Sequence, residues 1–171
     1  VHCQITNPRI LQGMQDQDLL AYIQPVFIDL DMNTVEPAIG AQRMDKVYAW
    51  KSMLDMGIHT SGGSDAPVVS FDAMENIYFA VTRKNISGQP QEGWIPSEKM
   101  SVDEAVKLFT KNAAYASYTE DENGTIEVGK NADFVVLEKN IYEIDPDEIK
   151  ATKVDMTVLG GEIVYEREVE E

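Results

Sequence analysis

Apolar side chains recur along the chain in two patterns, short apolar runs and helical spacings, which follow one another in alternation. Apolar runs of strand length occupy three places in the first part of the chain: residues 1–5, 21–28 and 58–61. Apolar residues three or four positions apart, the spacing of one helix face, predict four helices: residues 10–20, 41–56, 72–83 and 101–117. Ser101 and Glu104 have the spacing of a capping box at the start of the last helix. Asp, Asn, Pro and Gly between residues 29 and 40 predict a loop.

The pattern changes after residue 118, where short apolar runs are no longer separated by helical spacings. Runs at residues 134–137, 154–159 and 162–165 predict strands, and Gly160-Gly161 between the last two predicts a hairpin turn. We therefore predict two regions. Residues 1–118 consist of strand–helix units, and residues 119–171 are a β-rich portion of a second domain.

The alternation of strands and helices in the first region favours parallel β/α units and the α/β fold class. The predicted strands are too few to close a barrel, because a closed β/α barrel uses eight. The chain opens on an apolar element, so we expect it to be the C-terminal part of a larger protein. A partial barrel exposes strand edges and apolar faces, and we expect self-association or pairing with the missing N-terminal portion.

The charge balance is strongly acidic, with 30 Asp and Glu against 14 Lys and Arg and a net charge of −16. Nucleic acid and anionic membranes are disfavoured as partners, because both require a positively charged surface. No apolar run approaches the roughly 20 residues of a membrane-spanning helix. The single cysteine, Cys3, excludes an intrachain disulfide and is typical of a reducing compartment such as the cytoplasm.

Two predicted strand ends carry side chains that can bind divalent metals. His2 lies near the end of the first predicted strand, and Asp65 follows the third strand after Gly62-Gly63-Ser64. Functional residues of β/α barrels lie at the C-terminal ends of strands, and imidazole and carboxylate are both zinc ligands. Lone His and Asp residues at strand ends are also common as structural groups, so the residue types alone leave both interpretations open.

Three further residues have a structural interpretation beside a functional one. His59 precedes Asp65 by six residues, roughly 20 Å along an extended strand, so we expect it to be packed and not to share a metal. Cys3 is expected to be a buried structural thiol, since no histidine partner for a nucleophile is evident. Arg43 fits two roles equally, because it could orient a substrate or tie its loop to the barrel rim.

Six short blocks of sequence stand in a distinctive order along the chain. They are HCQ at 2–4, QPVF at 24–27, IGAQR at 39–43, GSDAPV at 63–68, LFTKNAA at 108–114 and GTIEVGKNADF at 124–134. Any one block is common, but the ordered set is specific and covers essentially the whole chain. In this order the blocks resemble the amidohydrolase superfamily, in its N-substituted formamide deformylase-like branch.

The resemblance implies a TIM-like (β/α)8 barrel with a small β-sandwich, of which this chain holds about strands 6 to 8 and part of the sandwich. In that family, metal is bound by a His-x-His pair, a carboxylated Lys or Glu, two further histidines and an Asp. His2 matches the sixth-strand histidine and Asp65 the eighth-strand aspartate, while the earlier ligands have no counterpart in this sequence. The resemblance thus makes His2 and Asp65 ligands of a divalent metal such as zinc, and Asp65 also the catalytic acid–base.

The function that the resemblance implies is hydrolysis of a C–N bond in a small molecule by metal-activated water. Because most ligands are absent, this chain alone is expected to be inactive, and Arg43 is the candidate contact to the small-molecule substrate. Two alternatives stay open: a non-catalytic barrel fragment, and a binding protein on a degenerate amidohydrolase scaffold.

Overall fold

The structure is a computed structural model that describes residues 1–168; residues 169–171, the end of the second predicted region, lie outside the described residues. The α-helices are α1 (Pro8–Asp16), α2 (Phe27–Asp31), α3 (Val35–Ile39), α4 (Trp50–Asp55), α5 (Ala73–Thr82), α6 (Val102–Leu108) and α7 (Lys111–Ala116). The strands are β1 (Ala21–Ile23), β2 (Thr60–Gly62), β3 (Phe134–Leu137), β4 (Val154–Leu159) and β5 (Glu162–Glu166). Short 3-10 helices occupy Ala41–Lys46, Pro96–Glu98 and Pro146–Ala151.

Strands β1 and β2 form a parallel pair, with Tyr22 opposite Ser61. On the other side of β1, the backbone N–H of His2 donates to the carbonyl of Tyr22 at 2.7 Å. β1 therefore lies between the first residues of the chain and β2, so segments that follow one another in sequence are neighbours in space. The predicted strand at residues 1–5 is wrong, because His2 and Cys3 have positive φ and only Ile5 forms a bridge, to Val47.

The helix predicted over residues 41–56 is interrupted, and this part of the prediction is wrong. A 3-10 helix ends at Lys46 and α4 starts at Trp50, with Val47 extended between them and Tyr48 at φ +50°. The backbone N–H of Tyr48 donates to the carbonyl of Gln4 at 2.8 Å, which takes the place of a helical hydrogen bond. The predicted loop at residues 29–40 is also wrong, since it contains most of α2 and all of α3.

The predicted helix starts at α5 and α6 are confirmed. Asp72 caps α5 by accepting from the backbone of Met74 at 2.8 Å, and Ser101 and Glu104 form the reciprocal capping box of α6. The single helix predicted to residue 117 is wrong, because it divides into α6 and α7 at Phe109–Thr110. Phe109 lies against the backbone of Gly62, where an added Cβ would approach its ring to 2.7 Å.

Strands β3, β4 and β5 form an antiparallel sheet in that order, with the predicted hairpin at Gly160-Gly161 joining β4 to β5. β3 and β4 match their predicted bounds. Much of this sheet's apolar surface is exposed, including 53% of Val135 and 57% of Ile163. The remaining exposed apolar residues of the sheet are Phe134, Val136, Leu159, Val164 and Tyr165.

Helix α5 and the 3-10 helix at Pro146–Ala151 join the two regions of the chain. The Lys84 ammonium, just after α5, bonds both carboxylate oxygens of Asp147, at 3.0 and 2.7 Å. Ile149 is fully buried in the same apolar core as Tyr78 of α5. Within residues 1–168, no helix is long and apolar enough to cross a membrane. The boundary predicted at residue 118 stays a prediction.

Candidate metal-binding edge

The backbone of His2 is fixed by contacts to two different segments. Its N–H donates to the carbonyl of Tyr22 in β1 at 2.7 Å, and its own carbonyl accepts from the indole N–H of Trp50 in α4 at 3.3 Å. Residue 2 adopts a left-handed conformation, with φ +65°, which is uncommon for a residue with a side chain. Hydrogen bonds to β1 and α4 therefore fix the backbone position from which the imidazole extends.

The imidazole of His2 is fixed by one hydrogen bond and one ring contact. Its Nδ1 is 2.8 Å from Oε1 of Gln24, the residue that follows β1. On one face the ring stacks on Phe27, with 5.4 Å between ring centroids and 24° between planes. Gln24 is buried, so its amide is held within the protein beside His2. Nε2 is then the ring nitrogen left for a further ligand.

Asp65 lies three residues beyond the end of β2. The N–H of Gly63 donates to the carbonyl of Ile23 at 2.9 Å, which continues the hydrogen bonding between β1 and β2 one residue past β2. Gly62 is required by its close approach to the Phe109 ring, and its φ is not positive. Asp65 is itself at φ +64°, and its side chain is exposed.

His2 and Asp65 lie near the carboxyl end of the β1–β2 pair: the His2 ring bonds Gln24, the residue after β1, and Asp65 follows β2. An imidazole whose Nδ1 is already bonded and an exposed carboxylate are both donors of the kind that zinc and similar metals accept. Within residues 1–168, however, no group of three or more His, Cys, Asp and Glu side chains is arranged to hold a metal. These two residues fit part of a metal site, and the described chain does not supply a full set.

The other residues singled out from the sequence lie elsewhere or have structural contacts. Arg43 is exposed in the 3-10 helix at Ala41–Lys46, and its guanidinium makes a local contact of 3.4 Å to the carbonyl of Ile39. His59 is exposed but stacks on Tyr115 at 4.2 Å, in agreement with the expected packing role. Cys3 is half-buried against the core, less than the buried thiol expected from the sequence, and this burial raises the pKa of the thiol.

The structure also shows a polar network of Gln4, Asp31 and Tyr48 that the sequence did not predict. The side-chain amide of Gln4 donates to Asp31 at 2.8 Å and to the hydroxyl of Tyr48 at 2.9 Å, and that hydroxyl donates to the same Asp31 oxygen. Burial, followed by the bond to Asp31, raises the pKa of the Tyr48 phenol far above its usual range. The residues of this network are up to 44 positions apart in the sequence, so no local sequence signal could have identified it.

A family model described as the amidohydrolase family matches residues 1–165. The amidohydrolase-like protein YtcJ of Bacillus subtilis is 34% identical over 167 residues, covering 98% of this chain and 32% of that protein. The N-substituted formamide deformylase of Arthrobacter pascens is 35% identical over 122 residues, covering 71% of this chain and 22% of that protein. The chain thus spans about a third or less of the length of these relatives.

Solved structures resemble the fold at lower sequence identity. A metal-dependent hydrolase from Pyrococcus horikoshii has a TM-score of 0.76 at 20% identity, over 85% of this chain and 29% of that chain. The guanine deaminase of E. coli has a TM-score of 0.69 at 17% identity, over 98% of this chain and 38% of that chain. At these identities the likeness concerns the fold alone.

Proposed function

The chain belongs to the amidohydrolase family, and from this premise we propose that it is part of a metal-dependent hydrolase acting on C–N bonds of small molecules. The observation that carries the proposal is the position of His2 and Asp65 near the carboxyl end of the β1–β2 pair. The deformylase relative supports a C–N bond as the substrate class. The specific barrel and sandwich architecture, and a cytoplasmic location, belong to the same proposal.

In the proposed site, His2 and Asp65 would hold a divalent metal such as zinc. When bound, such a metal would lower the pKa of a water ligand and polarise the scissile carbonyl. His2 would contribute Nε2, because Nδ1 is engaged by Gln24. The Asp65 carboxylate accepts a proton from the attacking water and returns it to the leaving nitrogen, a role that its exposed position permits. Arg43 remains a proposed substrate contact.

We further propose that the remaining ligands come from a region of polypeptide equivalent to the rest of the relatives, and that this chain alone is inactive. The first support is the incomplete donor set among the described residues. The second is the share of the relatives that the chain spans, 32% for YtcJ and 22% for the deformylase. The proposed partners are a small-molecule substrate and that polypeptide region, and neither nucleic acid nor a membrane is proposed.

The proposal is tested by elemental analysis of this chain and, in parallel, of a protein of the relatives' length that contains it. Stoichiometric zinc or a similar metal in the longer protein only is expected. Asp65→Asn in the longer protein should reduce amide hydrolysis to background, whereas Asp16→Asn, an exposed change at the end of α1, should leave it unchanged. An active Asp65→Asn variant contradicts the catalytic role, and absence of metal from both proteins favours a binding protein on a degenerate scaffold.

A further inference from the structure

The side chain of Gln24 is placed where it can determine which ring nitrogen of His2 carries the proton. Its Oε1 lies 2.8 Å from Nδ1 of His2, and only 6% of Gln24 is exposed. In this orientation the amide presents its carbonyl oxygen, an acceptor only, to Nδ1, so the contact is a hydrogen bond in the Nδ1–H form of His2. A neutral imidazole carries one ring hydrogen, and Nε2 is then left with its lone pair.

The residues around Gln24 also restrict movement of the imidazole. The carbonyl of Gln24 accepts from the backbone N–H of Phe27 at 3.0 Å, which closes a turn immediately after β1. This turn places the amide of Gln24 at the ring edge of His2 and the ring of Phe27 against its face. Because the same turn positions both contacts, the orientation and the protonation site of His2 are set together.

From these contacts we infer that Gln24 is a positioning residue that holds His2 in its Nδ1–H form and leaves Nε2 available as a metal ligand. The inference rests on the proposed function only for the purpose that it assigns to the lone pair on Nε2. Partners of this kind, which orient a ligating histidine through its other nitrogen, typically account for 10–100-fold in metal affinity. An amide does so without adding a negative charge beside the ring.

The protonation site can be measured on this chain without metal by ¹⁵N NMR of labelled histidine side chains. The chain contains only two histidines, His2 and His59, and His59 stacks on Tyr115, so it is an internal reference. The spectra are recorded at about pH 8.5, two units above the ordinary pKa of a histidine side chain, about 6.5. We expect a protonated Nδ1 and an unprotonated Nε2 for His2. A protonated Nε2, or an even mixture of the two forms, overturns the inference.

Two substitutions separate the acceptor role of Gln24 from its packing. Gln24→Glu keeps an acceptor oxygen, so His2 should stay in the Nδ1–H form. Gln24→Met keeps most of the volume and removes the acceptor, so the population should shift towards the Nε2–H form, and Gln12→Met on the exposed face of α1 should have no effect. The inference is overturned if the ratio of the two ring forms of His2 is unchanged in Gln24→Met, or if the Nδ1–H form is lost in Gln24→Glu. If Gln24→Met does not fold, the result for Gln24→Glu decides.

Zinc affinity tests separately whether the Nδ1–H form of His2 favours metal binding. In a protein of the relatives' length, Gln24→Met should weaken zinc binding by about 10–100-fold, and Gln24→Glu should restore most of it. If that protein binds no zinc at all, the proposed function fails, while the NMR result still decides the role of Gln24. If zinc binds equally well to Gln24→Met, the proposed function stands and the positioning role is refuted.

Discussion

Replacing Arg83 by Met should destabilise the protein severely, because this cation is fully buried in the core. Its Nη1 donates to the carbonyl of Tyr48 and its Nε to the carbonyl of Trp94, both at 3.0 Å. The guanidinium also lies over the rings of Trp50 and Trp94, 5.6 and 5.4 Å from their centroids. Burial lowers the pKa of Arg83 to about 10, so the group is still charged at neutral pH.

The expected loss follows from these contacts. A hydrogen bond to a charged donor contributes about 1.5–3 kcal/mol, and a cation over an aromatic ring about 0.5–2 kcal/mol. Removal also leaves one buried and one partly buried carbonyl without their donor, and the buried carboxylate of Glu98 without a nearby positive charge. Nη2 of Arg83 has no partner among residues 1–168, and its burial cost, which Met avoids, offsets part of the loss. We therefore expect Arg83→Met to lower the free energy of unfolding by about 3–5 kcal/mol.

Urea unfolding followed by tryptophan fluorescence is a suitable assay, because Trp50 and Trp94 are the only two tryptophans and both contact Arg83. Circular dichroism on the same samples checks that the two probes report one transition. Arg9→Met, an exposed change in α1, is the matched control and should stay within about 0.5 kcal/mol. A loss below about 1 kcal/mol for Arg83→Met would show that the buried guanidinium contributes no net stability and would refute this account.

Three further predictions concern other parts of the fold. Because the fold raises the pKa of the Tyr48 phenol, the unfolded chain loses this proton at lower pH, and the free energy of unfolding should fall as pH rises above about 10. Tyr48→Phe should make the free energy of unfolding, measured at several alkaline pH values, depend less steeply on pH. Ser101→Ala should cost about 0.5–2 kcal/mol in thermal or urea unfolding by removing the α6 cap, whereas exposed Ser87→Ala should cost little. We also propose that the chain self-associates through the exposed apolar surface of the β3–β5 sheet. Val135→Lys should lower the molecular mass measured by light scattering, and a monomeric unsubstituted chain at high concentration contradicts the proposal.

The parts of the fold that the sequence predicted well are those with strong local signals. Ser101 and Glu104 satisfy each other within one turn, and the β3 and β4 runs are bounded by turn residues. The helix over residues 41–56 was predicted wrongly because its break depends on distant groups. Tyr48 leaves helical geometry where its N–H bonds Gln4 and its carbonyl bonds Arg83, which lie 44 and 35 residues away. Apolar spacing carries no information about such contacts.

The candidate site, like the fold, could be predicted from the sequence only in part. The resemblance named His2 and Asp65 as candidates, and the pairing of β1 with both neighbouring segments brings them near the carboxyl end of the β1–β2 pair. The groups that hold His2 could not be predicted, since Gln24 is 22 residues away and Trp50 is 48. A buried glutamine after a short strand has no sequence signature that distinguishes an acceptor for histidine from a residue in the core.

The contacts of His2 connect the candidate metal ligand to the most buried part of the core. Trp50 donates to the His2 carbonyl and lies under the guanidinium of Arg83. Gln24 and Phe27 fix the ring from the turn after β1. The orientation of His2 is therefore built by this chain itself, before any metal is present. A ligand that is already ordered loses little conformational freedom when it binds, so the proposed site gains affinity from the packing of the surrounding core.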